Sequence, residues 1–285
     1  MAPCLKGQIV INRYTSATDT FYYKRYERIP LPAKINLKKI SLSGRQQVVE
    51  DFMKALGPEY PQYTSDTLSK YSEKDWKKRI FPVDINHDGL TDILFSGFSG
   101  GEADITRLYL NRNGQFDLLF EDYQYISSWK MADRKLSSIQ VTDPGCCAEY
   151  LIFTRDYNIL WDDNMPRFVK GKQIVWYQHT ELPRSLFSQP VPFIAVSDTL
   201  TLRASAAHLD EPYNPVLDNF GNIIAKYRNK CHGIILARKA PQAGNEWFFV
   251  EIYPDLMPSA SILYGTEKLP TFVRGWVSGR SIIPD

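Results

Sequence analysis

The chain has 285 residues, and at about 150 residues per domain this length predicts roughly two domains. Hydrophobic residues make up 44% and charged residues 23%, a globular composition that excludes disorder as the main state. Lys and Arg number 34 against 32 Asp and Glu, leaving +2, so no basic excess argues for nucleic acid, and no apolar run approaches the roughly 18 residues of a membrane span.

In chain order, residues 7–41 hold short alternations of polar with β-branched or aromatic residues: Ile9 with Ile11, Phe21 with Tyr23, Ile35 with Leu37. These predict short strands, interrupted by Pro30 and Pro32. A helix follows, with Ser43 as its cap, Gln46 at the capping-box position, and Val49, Phe52, Met53 and Leu56 on one face; Gly57-Pro58 end it. A second helix is expected over about 65–78, where Leu68, Ser72 and Trp76 repeat every four residues beside a solvated run of charges. From residue 80 to about 196 strands dominate, with candidates at 80–84, 92–96, 106–111, 116–120, 139–142, 150–154 and 174–179. Asn113-Gly114 is a hairpin signal. Pro183, Pro190 and Pro192 mark an expected linker, with a domain boundary near 190. The last segment predicts strands at 199–203, 223–227, 233–238, 247–252 and 274–277.

Asp84-Ile85-Asn86-His87-Asp88-Gly89-Leu90-Thr91-Asp92 places side-chain oxygens at positions 1, 3, 5 and 9, while Gly89 permits a sharp turn that brings in the Leu90 carbonyl. Three Asp held this close repel unless a cation screens them, and hard oxygen donors favour calcium. Position 12, where an EF-hand needs a bidentate Glu, is Phe95. The pattern strand, D-x-N-x-D-G-x-x-D, strand resembles the loop of FG-GAP and VCBS repeats, and Leu108-Tyr109-Leu110-Asn111-Arg112-Asn113-Gly114-Gln115-Phe116 resembles their strand-turn-strand continuation. The resemblance covers about 80–120 in a single copy, whereas a propeller repeats its blade. It implies a structural calcium on Asp84, Asn86, Asp88 and Asp92, with Leu90 contributing its carbonyl. His87 is expected to point to solvent.

Thr199-Leu200-Thr201-Leu202-Arg203 opens the C-terminal segment, Trp247-Phe248-Phe249-Val250 lies in its middle, and Arg274-Gly275-Trp276-Val277 closes it. This order resembles a bacterial SH3-like domain, with a longer stretch than usual (253–273) before the closing motif. The resemblance implies a small barrel at 195–285 with Trp247 and Trp276 as core or groove walls, and binding of cell-wall peptides or proteins. Tyr213, Phe220, Tyr253 and Tyr264, with Trp247 beneath, are the groove candidates; core or edge packing is the competing reading of each.

Four cysteines, Cys4, Cys146, Cys147 and Cys231, are too few for a disulfide scaffold. One of the adjacent pair could bridge to Cys231; plain packing is the other reading. Nothing before Cys4 reads as a secretory leader. Two compartments stay open: the cytosol with free thiols, or, as both resemblances imply, the periplasm or outer envelope after leader removal. In the second, Cys4 is a candidate for the lipid-bearing residue of a lipoprotein.

Gly97-Phe98-Ser99-Gly100-Gly101 matches the nucleophile-elbow pattern, but an elbow needs a helix after it, and the residues from Glu102 to Tyr109 read as a strand. Cys147 followed by His179 has the order of a cysteine peptidase, yet 148–153 is strand-like too. The expectation is therefore a mainly β protein: an α+β domain over 1–190 with one or two helices, and an SH3-like barrel over 195–285. Its expected role is non-catalytic: a calcium-stabilised envelope protein recognising a protein or peptidoglycan peptide, in a specific form an immunity-type toxin inhibitor. The alternative is a cell-wall hydrolase of cysteine or serine type.

Overall fold

The structure, a computed structural model, describes residues 34–55, 77–98, 104–143, 151–178, 180–184, 186–210, 221–228, 230–242, 245–256, 258, 260–261 and 271–285. It is mainly β, and its described residues fall into two compact units. One is drawn from 34–143 and 153–172, the other from 151–152 and 173–285.

The first unit is built in three layers. Strands β1 (Ile80–Val83), β2 (Asp92–Phe98), β3 (Asp104–Arg112) and β4 (Gln115–Asp122) form an antiparallel sheet in that order. Helix α1 (Gln46–Ala55) covers one face: Phe52 is fully buried against Ile80, Ile93, Phe95, Ile105 and Tyr109, with its ring edge-on to those of Tyr109 and Phe116. Val83, Leu94, Leu108, Leu110 and Phe120 enter the core on the other face. They pack there with Ile126, Leu136, Ile139, Val141, Tyr157 and Ile159 from a second layer of strands. That layer is β5 (Tyr125–Ala132), β6 (Lys135–Asp143), β7 (Leu151–Asp162) and β8 (Met165–Tyr177), which neighbour one another in chain order. Burial on both faces is why Ile93-Leu94-Phe95 is uninterruptedly apolar: alternate residues serve different cores.

Several expectations change at this level. The helix begins at Gln46, not at Ser43, because Gly44 adopts φ +70° and breaks the helical path after the proposed cap. Leu37, read as part of a strand, opens a 3-10 turn (Leu37–Lys39) whose Asn36 side chain accepts from the Lys38 amide. Strand β5 was not anticipated: Ser127-Ser128-Trp129-Lys130 shows little alternation, and its pairing with β6 is twice irregular, between Ile126 and Ser128 and between Lys130 and Met131. The second predicted helix lies almost wholly outside the described residues, as do residues 1–33 with their expected strands.

In the second unit, β15 (Phe272–Ser278) occupies the middle. One edge pairs antiparallel with β13 (Asn245–Ile252), which continues outward to β12 (His232–Gln242), β9 (Val191–Ala195) and β16 (Ile282–Pro284). Its other edge meets the end of β8 in parallel at Phe272 and Val273, and then β10 (Thr199–Arg203) at Trp276. Strand β10 pairs with β11 (Ile223–Arg228), which also carries the short β14 (Ala260–Ser261). Gly275 stands beside this change of partner: a Cβ there would meet Leu202 Cγ at 2.8 Å and the Arg203 carbonyl at 2.9 Å. Trp276 is fully buried with Trp247, Phe249, Leu236 and Ala237, and its indole N–H donates to the Glu181 carbonyl at 2.6 Å. The Pro-rich stretch expected as a linker holds β9. Pro192, the second residue of β9, stands opposite Ile234 with its ring exposed, and its carbonyl accepts from the Asp285 amide at 2.9 Å.

Candidate metal loop and recognition cleft

Residues 84–91 join β1 to β2, so the two ends of the loop are the paired residues Val83 and Asp92. Asp92 is fully buried and turned to the backbone. One carboxylate oxygen accepts from the Ile85 amide at 2.9 Å and the other from the Asn111 amide at 2.9 Å. Burial pushes its carboxyl up to about 7. The nearby carboxylates of Asp88 and Asp84 act in the same sense, against the two amides. Asp88 accepts from the Leu90 amide at 2.8 Å and from the Asn86 side-chain amide at 2.8 Å. Asn86 Oδ1 accepts from the Asp88 amide at 3.3 Å, and Asp84 Oδ2 from the Gly89 amide at 3.3 Å. Gly89 has φ +84°, as the turn required, and His87 is exposed with φ 58°. The remaining oxygen, Asp84 Oδ1, is buried and has no hydrogen-bond partner.

Among the described residues, no group of three or more His, Cys, Asp or Glu side chains stands together as a ligand set. The reason is local. Short Asp and Asn side chains bond amides one or two residues away, and here the loop's own N–H groups occupy much of the oxygen set. What does fit a hard cation is Asp84 Oδ1, a buried carboxylate oxygen with no hydrogen-bond partner among the described residues, in a loop whose other acceptors are carboxylate, amide and carbonyl oxygens.

The loop is also bonded to neighbouring turns. Asn111 donates from its side chain to the Thr91 carbonyl at 2.9 Å and accepts there from the Gly114 amide at 2.7 Å, which ties the loop to the Asn113-Gly114 hairpin. Both turn residues have positive φ, 55° and 97°, as a tight two-residue hairpin demands. The Ile85 carbonyl accepts from the Leu136 amide at 2.8 Å, and His87 Nε2 accepts from Arg134 at 3.3 Å at the β5–β6 turn. Lys135 donates to the Asp163 carbonyl at 3.2 Å, at the turn between β7 and β8. Four turns are therefore linked side by side. Asn111 was quoted in the sequence only as part of a hairpin. Its position just before an Asn-Gly turn was the one available sign that its side chain would hold that turn.

In the second unit the groove candidates separate. Trp247 is buried in the core beside Trp276, with the His208 ring 4.7 Å from its own, so it is not a groove wall. Tyr213, Phe220 and Tyr264 lie outside the described residues, as do Cys4, Ser99, Cys146, Cys147 and His179. Tyr253 is half-buried and borders a cleft of about 380 Å3 lined also by Pro192, Phe193, Ile194, Lys230, His232, Gly233 and Asp285. Its ring stands edge-on to His232 (5.3 Å between centroids) and to Phe272 (6.0 Å). His232 is oriented from both ends, since Nδ1 donates to the Lys230 carbonyl at 3.1 Å and Nε2 lies 3.5 Å from Asp255. Gly233 has no room for a side chain, because a Cβ would run into the Glu251 carbonyl on β13. Cys231, beside this cleft in sequence, is buried with a free thiol that burial pushes up to about 12; Cys146 and Cys147, the candidates for a bridge to it, lie outside the described residues.

No helix among the described residues is long and apolar enough to cross a membrane. No protein-family model matches the chain, and a search of curated proteins finds no similar sequence.

Proposed function

We propose that this chain is a calcium-stabilised, non-catalytic binding protein of the bacterial cell envelope, which recognises a protein or a cell-wall peptide. In its most specific form it is an immunity-type inhibitor that blocks a secreted toxin. The observation that carries the calcium reading is the buried, unpartnered Asp84 Oδ1 in a loop of oxygen donors. Asp84, Asn86, Asp88 and the Leu90 carbonyl would hold the ion, and Asp92 braces the loop from behind through the Ile85 and Asn111 amides. Bound calcium would neutralise the mutual repulsion of Asp84, Asp88 and Asp92 and so hold rigid the turns bonded to the loop. A rigid set of turns suits recognition, because the cost of ordering a contact surface is met before the partner arrives. Trp247 and Trp276 in the core of the second unit support reading it as an SH3-like module, with the Tyr253 cleft as its recognition surface.

The first test is thermal. Calcium is expected to raise Tm relative to chelator, and Asp88→Ala to abolish the shift; identical melts with calcium and chelator would remove the calcium reading. The second separates binding from catalysis. Pull-down from native envelope is set beside a peptidoglycan digestion assay. A stoichiometric protein partner supports the proposal, and turnover lost in Ser99→Ala or Cys147→Ala overturns it.

A further inference from the structure

The Tyr253 cleft has a chemical character of its own. Its apolar and aromatic lining comes from Pro192, Ile194, Tyr253 and the His232 ring, while the Phe193 side chain is buried on the other face of β9. Ile194 is 47% exposed despite its size, and so is its cross-strand neighbour Ile283, at 58%, so apolar surface continues out of the cleft onto the edge of the sheet. Two charged side chains line it, Lys230 and Asp285. Neither side chain has an ion-pair or hydrogen-bond partner among the described residues. Lys230 holds φ 67°, an unusual backbone for a residue with a long side chain, and its carbonyl is the acceptor that orients His232. His232, the third polar group, is already engaged with Asp255. One cation, one anion and apolar walls complement a small molecule that carries both charges on an aliphatic body. A volume of about 380 Å3 stands near the lower end of small-ligand sites, which span about 300–1,000 Å3.

We propose that this cleft binds an amphipathic zwitterion, with Lys230 taking its carboxylate, Asp285 its ammonium, and Pro192, Ile194 and Tyr253 its aliphatic group. The source of that chemistry is a free aliphatic amino acid or the unblocked form of a short peptide. The inference rests on the reading of Tyr253 as part of a recognition surface and is independent of calcium.

The test uses the full chain, isotopically labelled, and follows the backbone amide resonances of Lys230, His232 and Gly233. L-leucine and the dipeptide Leu-Leu are titrated beside 4-methylpentanoate, which lacks the ammonium, and 3-methylbutylamine, which lacks the carboxylate. At least one zwitterion is expected to shift all three amides, and whichever binds more tightly identifies the source. Each single-charge comparator is expected to bind at least about tenfold more weakly. Lys230→Gln is expected to reduce leucine to the affinity of the amine, and Asp285→Asn to that of the acid. Both positions are exposed, so neither variant removes a core contact. Absence of shifts at saturating leucine and Leu-Leu, or a comparator that binds as tightly as either, overturns the proposal. Melting with and without calcium on the same samples keeps the two readings apart, since a retained calcium shift with no zwitterion binding would sink the cleft alone.

Discussion

Asp92 shows how one side chain can matter more for its hydrogen bonds than for its charge. It was expected as a ligand because of its spacing, and the structure makes it the acceptor for two amides, one in the loop and one in β3. Asp92→Ala would leave both buried N–H groups unmatched. At about 1–3 kcal/mol for each unsatisfied buried donor, urea unfolding should show a loss of about 2–6 kcal/mol. A loss under about 1 kcal/mol would mean that the loop relaxes without it. Tyr157 offers a pH-dependent counterpart. Its hydroxyl donates to Asp122 at 2.6 Å, and Arg155 donates to the same oxygen at 3.0 Å. Burial, with help from the Asp122 bond, pushes the phenol up to about 12 from its ordinary value near 10. The folded state therefore favours the neutral phenol. That contribution is complete below about pH 10 and disappears as pH climbs to about 12. Tyr157→Phe should accordingly lose less stability than the parent chain between those two values, read by denaturant titration at each pH.

At the scale of elements, α1 is a short helix whose place depends on one ring. Phe52 is fully buried among Ile93, Phe95, Ile105 and Tyr109, and the remaining apolar residues of the helix are only partly covered. Phe52→Ala should cost about 3–5 kcal/mol, while a substitution at the exposed Lys54 should stay within about 0.5 kcal/mol, both by equilibrium unfolding. The helix was legible in the sequence from Val49, Phe52 and Met53, since 3.6-residue spacing is a local property. Its start was not, because Gly44 acts through backbone conformation rather than pattern. The strands β1 to β4 were legible for a like reason, as short runs rich in β-branched and aromatic residues and the Asn113-Gly114 turn are local signals. Strand β5 was hidden by serines and by irregular pairing with β6, and β9 by two prolines. Both exist because a neighbouring strand supplies their hydrogen bonds.

For the whole molecule, the two units give the calcium proposal a spatial prediction. Hydrogen exchange should slow on calcium addition at the amides of residues 85–90, 111–114 and 134–136, which the loop bonds reach. Exchange in β12 and β13 should not change. Protection spread evenly over the chain would instead indicate a general stabilisation with no role for the loop. The loop itself could be read in advance, since D-x-N-x-D-G-x-x-D is contiguous and Gly89 announces its turn. The cleft could not. Its residues come from 192–194, 230–233, 253 and 285, and they meet only because β12 pairs with β9 on one side and β13 on the other. Composition, periodicity and turn chemistry therefore determined that this is a mainly β protein with a helix ahead of Gly57-Pro58 and an oxygen-rich loop at 84–92, because each of those features is settled by residues close together in the chain. The partners of each strand, the burial of Trp247, the turning of Asp92 toward the backbone and the assembly of the cleft were decided by tertiary structure, because they depend on which distant segments exclude water from one another.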